Sequence, residues 1–472
     1  MKAVPDMLVD RIGEMGEVAH AFARRDADDE IGAGLDAGIA IARKQAGVTF
    51  VALPAPIVAA PALVAGWRNG PVVAWSSPAL TLVGLGAACE LRGTGSERWR
   101  EVIAAAQRID ANPVVDRSGT GLVRPRLLGG VAFAPGAADA APWTGFGDAW
   151  FMLPRWTYVH DGARATLVLA VDARDAQQAA RWREELAAVR AAFAAGFASR
   201  PQPPLLAIDP GDRDAWRAQV RAISDAIAAG DCAKIVSARN AVVTLAGEAR
   251  VPDMLAELDA RHRECVRVLV RPPGGGSLVA ATPERLVALD GATVSCDALA
   301  GSIARDRGEA ALRASGKDRN EHELVVHAIA SALHALDAEV KFPVEPGIRT
   351  LRHVLHLHTP ISATLHASRH VLELAAALHP TPAVGGTPTQ IATDWIAERE
   401  VVPRGWYASP VGWFDLDGNG ELAVAIRSGL LAGERAHLWA GAGIVAGSDP
   451  DRELAETDLK LRAMLGALGV SA

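Results

Sequence analysis

The sequence predicts an α/β protein of the α+β type, with large, partly antiparallel sheets and helices around them. Half of its 472 residues are hydrophobic, which is enough for an extensive buried core. Charged residues make up 22% of the chain and are spread along it, so intrinsic disorder is not expected. Strand and helix signals alternate from residue 206 to the C-terminus, and this mixture favours layered sheets with helices outside.

Hydrophobic periodicity and turn residues predict the individual elements. A long amphipathic helix is expected over 174–198, followed by a proline-containing break at 200–212 and a helix over 213–230. Further helices are predicted over 252–260, 307–337, 370–377, 389–397 and 450–468. Strands are predicted over 233–244, 266–270, 277–281, 285–289, 409–415, 421–432 and 436–440. The segment 415–421 lacks the final acid of a calcium-binding loop, so we interpret it as a hairpin turn.

The break at 200–212 divides the chain into an N-terminal part, residues 1–205, and a C-terminal part, residues 206–472. Chain length alone favours two or three domains. Residues that could carry chemistry concentrate in the C-terminal part, so we expect the functional site there.

Composition argues against several classes of protein. The net charge is −7, and no long basic block is present that would bind nucleic acid. Residues 1–17 contain acids and no apolar run, so they do not predict a signal peptide, and the apolar stretch 50–67 contains prolines that a membrane-spanning helix tolerates poorly. Four widely spaced cysteines indicate free thiols in a reducing cytoplasm and neither disulfides nor a zinc site: Cys89, Cys232, Cys265 and Cys296.

Two charged residues lie where the pattern predicts a strand core or a strand end. Lys234 shares the apolar face of its strand with Val236 and Ala238. Burial disfavours a charged amine and can produce a base, although a lysine at a strand end can also reach water. Glu284 follows Pro283 at a strand break, where an acid can donate a proton or can be an ordinary solvated turn residue.

Carboxylates also head two helices. Glu321 precedes the apolar stripe of its helix by one turn and Asp318 lies one turn earlier, where acids also favour the helix dipole. In the last helix, Glu453, Glu456 and Lys460 form a separate polar stripe. Carboxylates one turn apart suit a hard cation such as Mg²⁺, while the alternative is a solvated face with a Glu–Lys pair.

Two further segments and an arginine complete the candidate site. Gly441 and Gly443 are predicted between a strand and a helix, where the backbone can approach a ligand closely. The segment 378–388 is rich in proline and glycine and is expected to shape a pocket. Arg427 shares its strand face with small alanines, which leaves room for a planar carboxylate, although a structural salt bridge is the alternative.

Taken together, nine segments resemble those of chorismate-utilising enzymes, and they occur in the same order. They are KIVSAR, ATPE, ALAGS, KDRNEHELV, HLHTP, LHPTPAVGG, VGWFDLDGNGE, AIRSG and AGAGIVAGSDPDRELAETDLKL. The resemblance is strong from about residue 205 to 470 and weak before it, where LLGGVAFAP and WTGFGDAWFMLPRW carry it. It implies one large domain of two stacked, mostly antiparallel sheets flanked by helices, in place of several domains.

The resemblance also implies roles for individual residues. Lys234 matches the general base that activates a water molecule, and Glu284 matches the general acid that protonates the departing 4-hydroxyl group of chorismate. Residues that match the Mg²⁺ site, the two direct ligands first, are Glu321, Glu456, Glu453 and Asp318. Residues that match substrate-binding positions are His356, Tyr407, Arg427, Gly441, Ala442, Gly443 and Lys460.

Within that family the segment LHPTPAVGG is most similar to isochorismate synthases, and a lysine at position 234 favours addition of water over addition of ammonia. The resemblance therefore implies a magnesium-dependent isochorismate synthase that acts without a glutaminase subunit, as a monomer or weak oligomer. Two alternatives stay open. A salicylate synthase would also eliminate pyruvate, and a non-catalytic homologue would bind chorismate without converting it. The sequence does not distinguish a menaquinone pathway from a siderophore pathway.

Overall fold

A computed structural model of the chain describes residues 31–68 and 70–470. The prediction that residues 1–17 are not a signal peptide lies outside this range. Among the residues described, no helix has both the length and the apolar character needed to cross a bilayer.

The structure is a mixture of strands and helices. Its strands are β1 Val48–Pro54, β2 Val72–Ser76, β3 Thr81–Gly93, β4 Val115–Asp116, β5 Arg126–Val131, β6 Ala149–His160, β7 Ala165–Asp172, β8 Leu205–Asp209, β9 Lys234–Leu245, β10 Val266–Arg271, β11 Ser277–Thr282, β12 Arg285–Asp290, β13 Thr293–Ala304, β14 Ala338–Lys341, β15 Gly347–Thr350, β16 Val354–Leu365, β17 Gly386–Thr387, β18 Pro410–Asp415, β19 Gly420–Val424, β20 Ser428–Ala432 and β21 Arg435–Ile444. Its helices are α1 over 31–42, α2 Ala60–Gly66, α3 Arg98–Gln107, α4 Ala179–Ala195, α5 Arg213–Ala229, α6 Val251–Arg261, α7 Glu309–Ala314, α8 Gly316–Ala335, α9 Val371–Leu378, α10 Thr389–Arg399 and α11 Pro450–Ala467.

The strands form two arms that meet at the long strand β6. The first arm runs from β6 through β5, β18, β19, β12 and β13 to β16, which also pairs with β14 and β15. The second arm runs from β6 through β3, β2, β10, β11, β20 and β21 to β9, which also pairs with β8 and β17. Every strand pairing described is antiparallel except that of β1 with β4. The predicted fold class is therefore confirmed.

Both arms contribute side chains to one large core. Trp75 and Leu430 of the second arm belong to the same buried cluster as Val287 and Phe414 of the first. A second core covers the other face of the second arm, where α1, α2, α4 and α6 pack. The space between the two arms is thus apolar for most of its extent, and polar groups there need a specific reason.

Several predicted elements differ from the structure. The helix expected over 307–337 is broken at Ser315, whose side chain accepts a hydrogen bond from the Asp318 amide and so begins α8 afresh. The strand expected over 421–432 is two strands, β19 and β20, with a break at 425–427. The break at 200–212 contains the edge strand β8. Elsewhere the predicted helices and strands of the C-terminal part match within a few residues.

Candidate functional site

A cavity opens between the two arms. Strands β9 and β21 form one wall, and β13 and β16 form the opposite wall. Eight residues that were singled out from the sequence line this cavity: Glu284, Glu321, His356, Tyr407, Arg427, Gly441, Gly443 and Lys460. The segment 378–388 also reaches it, through Ala383 and Val384, as expected of a loop that shapes a pocket.

Lys234 is the first residue of β9 and is completely buried, with 0% of its surface exposed. A lysine extending to water from a strand end is therefore excluded. Its Nζ lies 2.9 Å from Oε1 of Glu321. In the described part of the chain, no acceptor meets the amine in hydrogen-bonding geometry, so its contact with Glu321 is an ion pair. The strand alternation correctly predicted that this side chain points inward beside Val236, which lines the cavity.

Glu284 lies between β11 and β12, and only 4% of its surface is exposed, so it is not a solvated turn residue. Its backbone carbonyl accepts a hydrogen bond from the Val424 amide, which ties it to β19. Burial raises the pKa of this carboxyl group to about 8, although the positive charges of Lys234 and Arg427 act in the opposite direction. At neutral pH the group is therefore mostly protonated and can donate a proton.

Glu321 faces Lys234 from α8. Burial acts to raise the pKa of Glu321, but the ammonium group of Lys234, followed by Lys317 and Lys460, lowers it overall. Glu456 of α11 forms an ion pair of 2.6 Å with Lys460, the i,i+4 pair that was the alternative to a metal site. These two carboxylates thus each have a lysine partner.

Glu453 and Asp318 lie beside this pair of carboxylates. Glu453 is 2% exposed and is ion-paired with Lys317, so it does not belong to a solvated helix face. Burial, followed by the negative charge of Glu456, raises the pKa of Glu453. Burial also raises the pKa of Asp318, and the charges of Glu321 and Glu456 add to this effect. The four carboxylates therefore form one electrostatically coupled cluster.

The carboxylates do not converge as closely as the ligands of a bound ion would. Among the described His, Cys, Asp and Glu side chains, one set of three brings its ligand atoms within 4.8 Å of one another, and it consists of His262, Glu264 and Cys265. The carboxylate cluster is held instead by three lysines: Lys234, Lys317 and Lys460. Its oxygen donors and its crowded negative charge nevertheless suit a hard divalent cation.

Arg427 and His356 both line the cavity and contact each other. Arg427 has a φ angle of +50°, an unusual value for a residue with a side chain, and it lies in the break between β19 and β20. The predicted placement on a continuous strand face is therefore wrong. Its guanidinium lies 3.3 Å from Nε2 of His356, and Nδ1 of the same ring lies 2.8 Å from Oγ of Ser302. Burial lowers the pKa of His356 well below its ordinary value, so the ring is neutral.

Gly441 and Gly443 lie within β21, which runs to Ile444, and not between a strand and a helix as predicted. Their lack of side chains makes room for the side chains of Lys234, Glu321 and Tyr407. A Cβ atom at 443 would lie 2.7 Å from Cε of Lys234 and would also collide with Glu321, and one at 441 would lie 3.1 Å from the Tyr407 hydroxyl. Ala442 is fully buried in the core between the arms, so only its backbone could serve a ligand.

Three contacts within the site carried no readable signal in the sequence. Lys317 forms an ion pair with Glu453, which lies 136 residues away in the sequence, so no local sequence pattern could indicate the contact. Ser302 lies opposite His356 because β13 contains an irregularity after Ala300, and such bulges are not encoded by simple alternation. Tyr407 stacks on Trp439 with ring centroids 6.2 Å apart, a contact that the fold creates.

A mostly antiparallel two-armed sheet encloses a buried cavity in which Arg427 and Lys460 face the carboxyl groups of Glu284 and Glu321, an arrangement typical of an enzyme site for a small polar substrate. Residues 60–469 match the family model described as chorismate binding enzyme, and the chain belongs to this family.

Two relatives match over most of their length. The "Salicylate biosynthesis isochorismate synthase" of Pseudomonas aeruginosa is 36% identical over 414 residues, which cover 85% of this chain and 85% of the relative. The isochorismate synthase MenF of Bacillus subtilis is 36% identical over 413 residues, which cover 84% and 87%.

Solved structures agree on the fold. The menaquinone-specific isochorismate synthase MenF of Escherichia coli matches with a TM-score of 0.76 at 24% identity and covers 93% of this chain and 100% of its own. Anthranilate synthase component I of Streptococcus pneumoniae matches with a TM-score of 0.66 at 18% identity, over 82% and 92%. At these identities the likeness supports the architecture alone.

Proposed function

We propose that this protein is an isochorismate synthase, which isomerises chorismate to isochorismate by adding water at ring carbon 2 and releasing the 4-hydroxyl group. The observation that carries the proposal is the buried, protonated carboxyl group of Glu284. It lines the same cavity as Arg427 and Lys460, and the positive charge of the buried Lys234 acts on it. The two relatives that match over most of this chain carry the same activity in their names.

Substrate binding follows from the charges that face the cavity. Chorismate is a dianion, and the guanidinium of Arg427 has no carboxylate within 4.0 Å among the described residues. A planar carboxylate can therefore occupy its free donors. Lys460 and the Tyr407 hydroxyl line the same cavity and can hold the second carboxylate.

Proton transfer requires a base and an acid at the two reacting carbons. Lys234 pairs with Glu321 as an ammonium group and has to lose that proton before it can act as the base. It then accepts a proton from the attacking water as the water oxygen bonds to carbon 2. Both ring double bonds shift, and the bond from carbon 4 to its hydroxyl breaks. Glu284 gives its proton to the departing hydroxyl, which leaves as water. One water enters and one leaves, so the reaction is an isomerisation and needs no redox partner.

Magnesium is the cofactor that we propose for the carboxylate cluster. Glu321 and Glu456 would hold it directly, with Asp318 and Glu453 around them. The raised pKa values of Asp318 and Glu453, caused first by burial and then by neighbouring carboxylates, support a cation there because it would relieve that repulsion. Bound magnesium supplies positive charge that positions and neutralises a substrate carboxylate.

The division of labour along the chain is also a proposal. All of the catalytic groups named here lie in residues 206–472, and we propose that the described part of residues 1–205 serves mainly to complete the sheet. Free thiols at all four cysteines support a cytoplasmic, reducing location. We expect a monomer or weak oligomer with no glutaminase subunit.

The direct test is incubation of purified protein with chorismate and Mg²⁺, followed by chromatography. Isochorismate as the accumulating product is the expected result. Accumulation of fluorescent salicylate would instead identify a salicylate synthase. If the protein bound chorismate and Mg²⁺ but formed no product, it would be a non-catalytic homologue and the proposal would be wrong.

A further inference from the structure

A chain of three polar side chains runs along the wall of the cavity that β13 and β16 form. Ser302 Oγ lies 2.8 Å from His356 Nδ1, and His356 Nε2 lies 3.3 Å from a terminal nitrogen of Arg427. His356 is 4% exposed and its two partners are half-buried, so both contacts are partly shielded from water. Hydrogen bonds in such surroundings are costly to leave unmade.

A β-bulge builds this contact. The register between β13 and β16 shifts between Ala300 and Ser302, so that Ser302 lies directly opposite His356. Gly301 takes up the extra residue with a φ angle of +71°. A Cβ atom there would lie 2.8 Å from the backbone oxygen of Asp318, so the bulge packs closely against α8. The position of Ser302 is therefore fixed by two elements.

The chemistry of the three groups determines the protonation of the ring. A guanidinium only donates hydrogen bonds, so Nε2 of His356 must be the acceptor in its contact with Arg427. In a neutral ring the proton then resides on Nδ1, which donates to Ser302 Oγ.

Arg427 depends on this contact for its orientation. Within residues 31–68 and 70–470, His356 is the one side chain in hydrogen-bonding distance of the guanidinium, and no carboxylate forms an ion pair with it. A neutral, accepting histidine can orient a guanidinium without consuming its charge. A carboxylate in the same place would compete with an anionic substrate.

We propose that Ser302 is a positioning residue that holds His356 as the Nδ1-protonated tautomer, and that this tautomer aims the Arg427 guanidinium at a carboxylate of the substrate. The part of this inference that concerns the substrate rests on the proposed function. The tautomer and its dependence on the bulge rest on the geometry alone.

The first experiment reads the tautomer directly and needs no turnover. Imidazole signals are recorded by ¹⁵N NMR on ¹⁵N-labelled full-length protein, and His356 is assigned as the signal lost in His356→Gln. A protonated Nδ1 with an unprotonated Nε2 at neutral pH is the expected result. A protonated Nε2, or a doubly protonated ring, would overturn the proposal.

The second experiment measures KM and kcat for chorismate in Ser302→Ala, Ser302→Thr and the control Ser295→Ala, which lies on the same strand away from the cavity. Loss of one hydrogen bond is expected to raise KM by about two- to tenfold in Ser302→Ala, with kcat within about twofold. Ser302→Thr keeps the hydroxyl and should restore KM, and Ser295→Ala should match the wild type.

An unchanged KM in Ser302→Ala would refute the positioning role, and so would a fall in kcat at constant KM, because it would place Ser302 in the chemical step. The two experiments also separate the proposals. If the wild type shows no turnover of chorismate, the proposed function fails while the NMR result still decides the tautomer.

Discussion

Replacing Glu284 by glutamine should make the protein more stable and almost inactive. Burial raises the pKa of this carboxyl group from 4.5 to about 8, so folding at pH 7 requires uptake of a proton. Across the interval from pH 4.5 to 7, at about 1.4 kcal/mol per pH unit, this uptake costs about 3 kcal/mol. Glutamine has nearly the same shape and takes up no proton, so Glu284→Gln should gain up to that amount.

The sign of this effect depends on pH in a defined way. The folded state binds one more proton than the unfolded state between about pH 4.5 and 8, so the wild type loses stability as the pH rises through this interval. Below pH 4.5 both states are protonated and the variant has no advantage. The advantage should therefore grow from zero near pH 4.5 to its full size above pH 8.

Activity should change in the opposite direction. A general acid typically contributes about 10²- to 10⁴-fold to the rate, so kcat of Glu284→Gln should fall by roughly that factor. The wild-type rate should decline above about pH 8, as the carboxyl group loses its proton, and the residual rate of the variant should lack this alkaline limb.

Urea unfolding at pH 4.5, 7 and 8.5, with initial rates over the same range, measures both effects. Glu398→Gln, at an exposed carboxylate on α10, is the matched control and should change neither quantity. A variant that keeps most of its activity, or one whose stability advantage over the wild type is no larger at pH 7 than at pH 4.5, would show that Glu284 is not a buried, protonated acid.

Three other perturbations test the rest of the site. Lys234→Ala should abolish turnover, and retained activity would remove this lysine from the mechanism. The variant also leaves Glu321 without its ion-pair partner, so the free energy of unfolding measured by urea titration should fall by about 3 kcal/mol. Gly443→Ala should reduce kcat by about 100-fold, since a Cβ atom there displaces both Lys234 and Glu321. Its control is Gly316→Ala, whose added Cβ atom meets nothing within 4 Å and which should leave kcat unchanged. EDTA should inhibit the enzyme and added Mg²⁺ should restore it; full activity in EDTA-treated, metal-free protein would exclude the cofactor.

The sequence predicted those parts of the site that follow a local period. Alternation along a strand placed Lys234 on the inner face, and helical spacing placed Glu321, Glu453 and Glu456 on neighbouring faces of two helices. Each of these predictions needed only the residue periodicity of a single strand or helix. The hairpin turn at 415–421 was likewise predictable from its turn residues, and it joins β18 to β19.

Other features depend on contacts between distant segments and could not be predicted in this way. Arg427 lies in a strand break with a positive φ angle, where alternation predicts a continuous strand. Strands β13 and β16 were missed because polar residues interrupt their apolar pattern, and those residues, including His356 and Thr359, are buried against partners that only the fold supplies. The bulge at Gly301 is set by packing against α8 and has no local pattern.

In the proposed mechanism, a solvent water activated by Lys234 adds to the ring, and Glu284 protonates the original hydroxyl group as it leaves. The most direct test is turnover of chorismate in H₂¹⁸O, with mass spectrometry of the isochorismate that forms early in the reaction. One ¹⁸O atom is expected in the product, located in its 2-hydroxyl group. Product that carries no ¹⁸O would show that the hydroxyl group migrates within the substrate, and it would contradict the roles given to both residues.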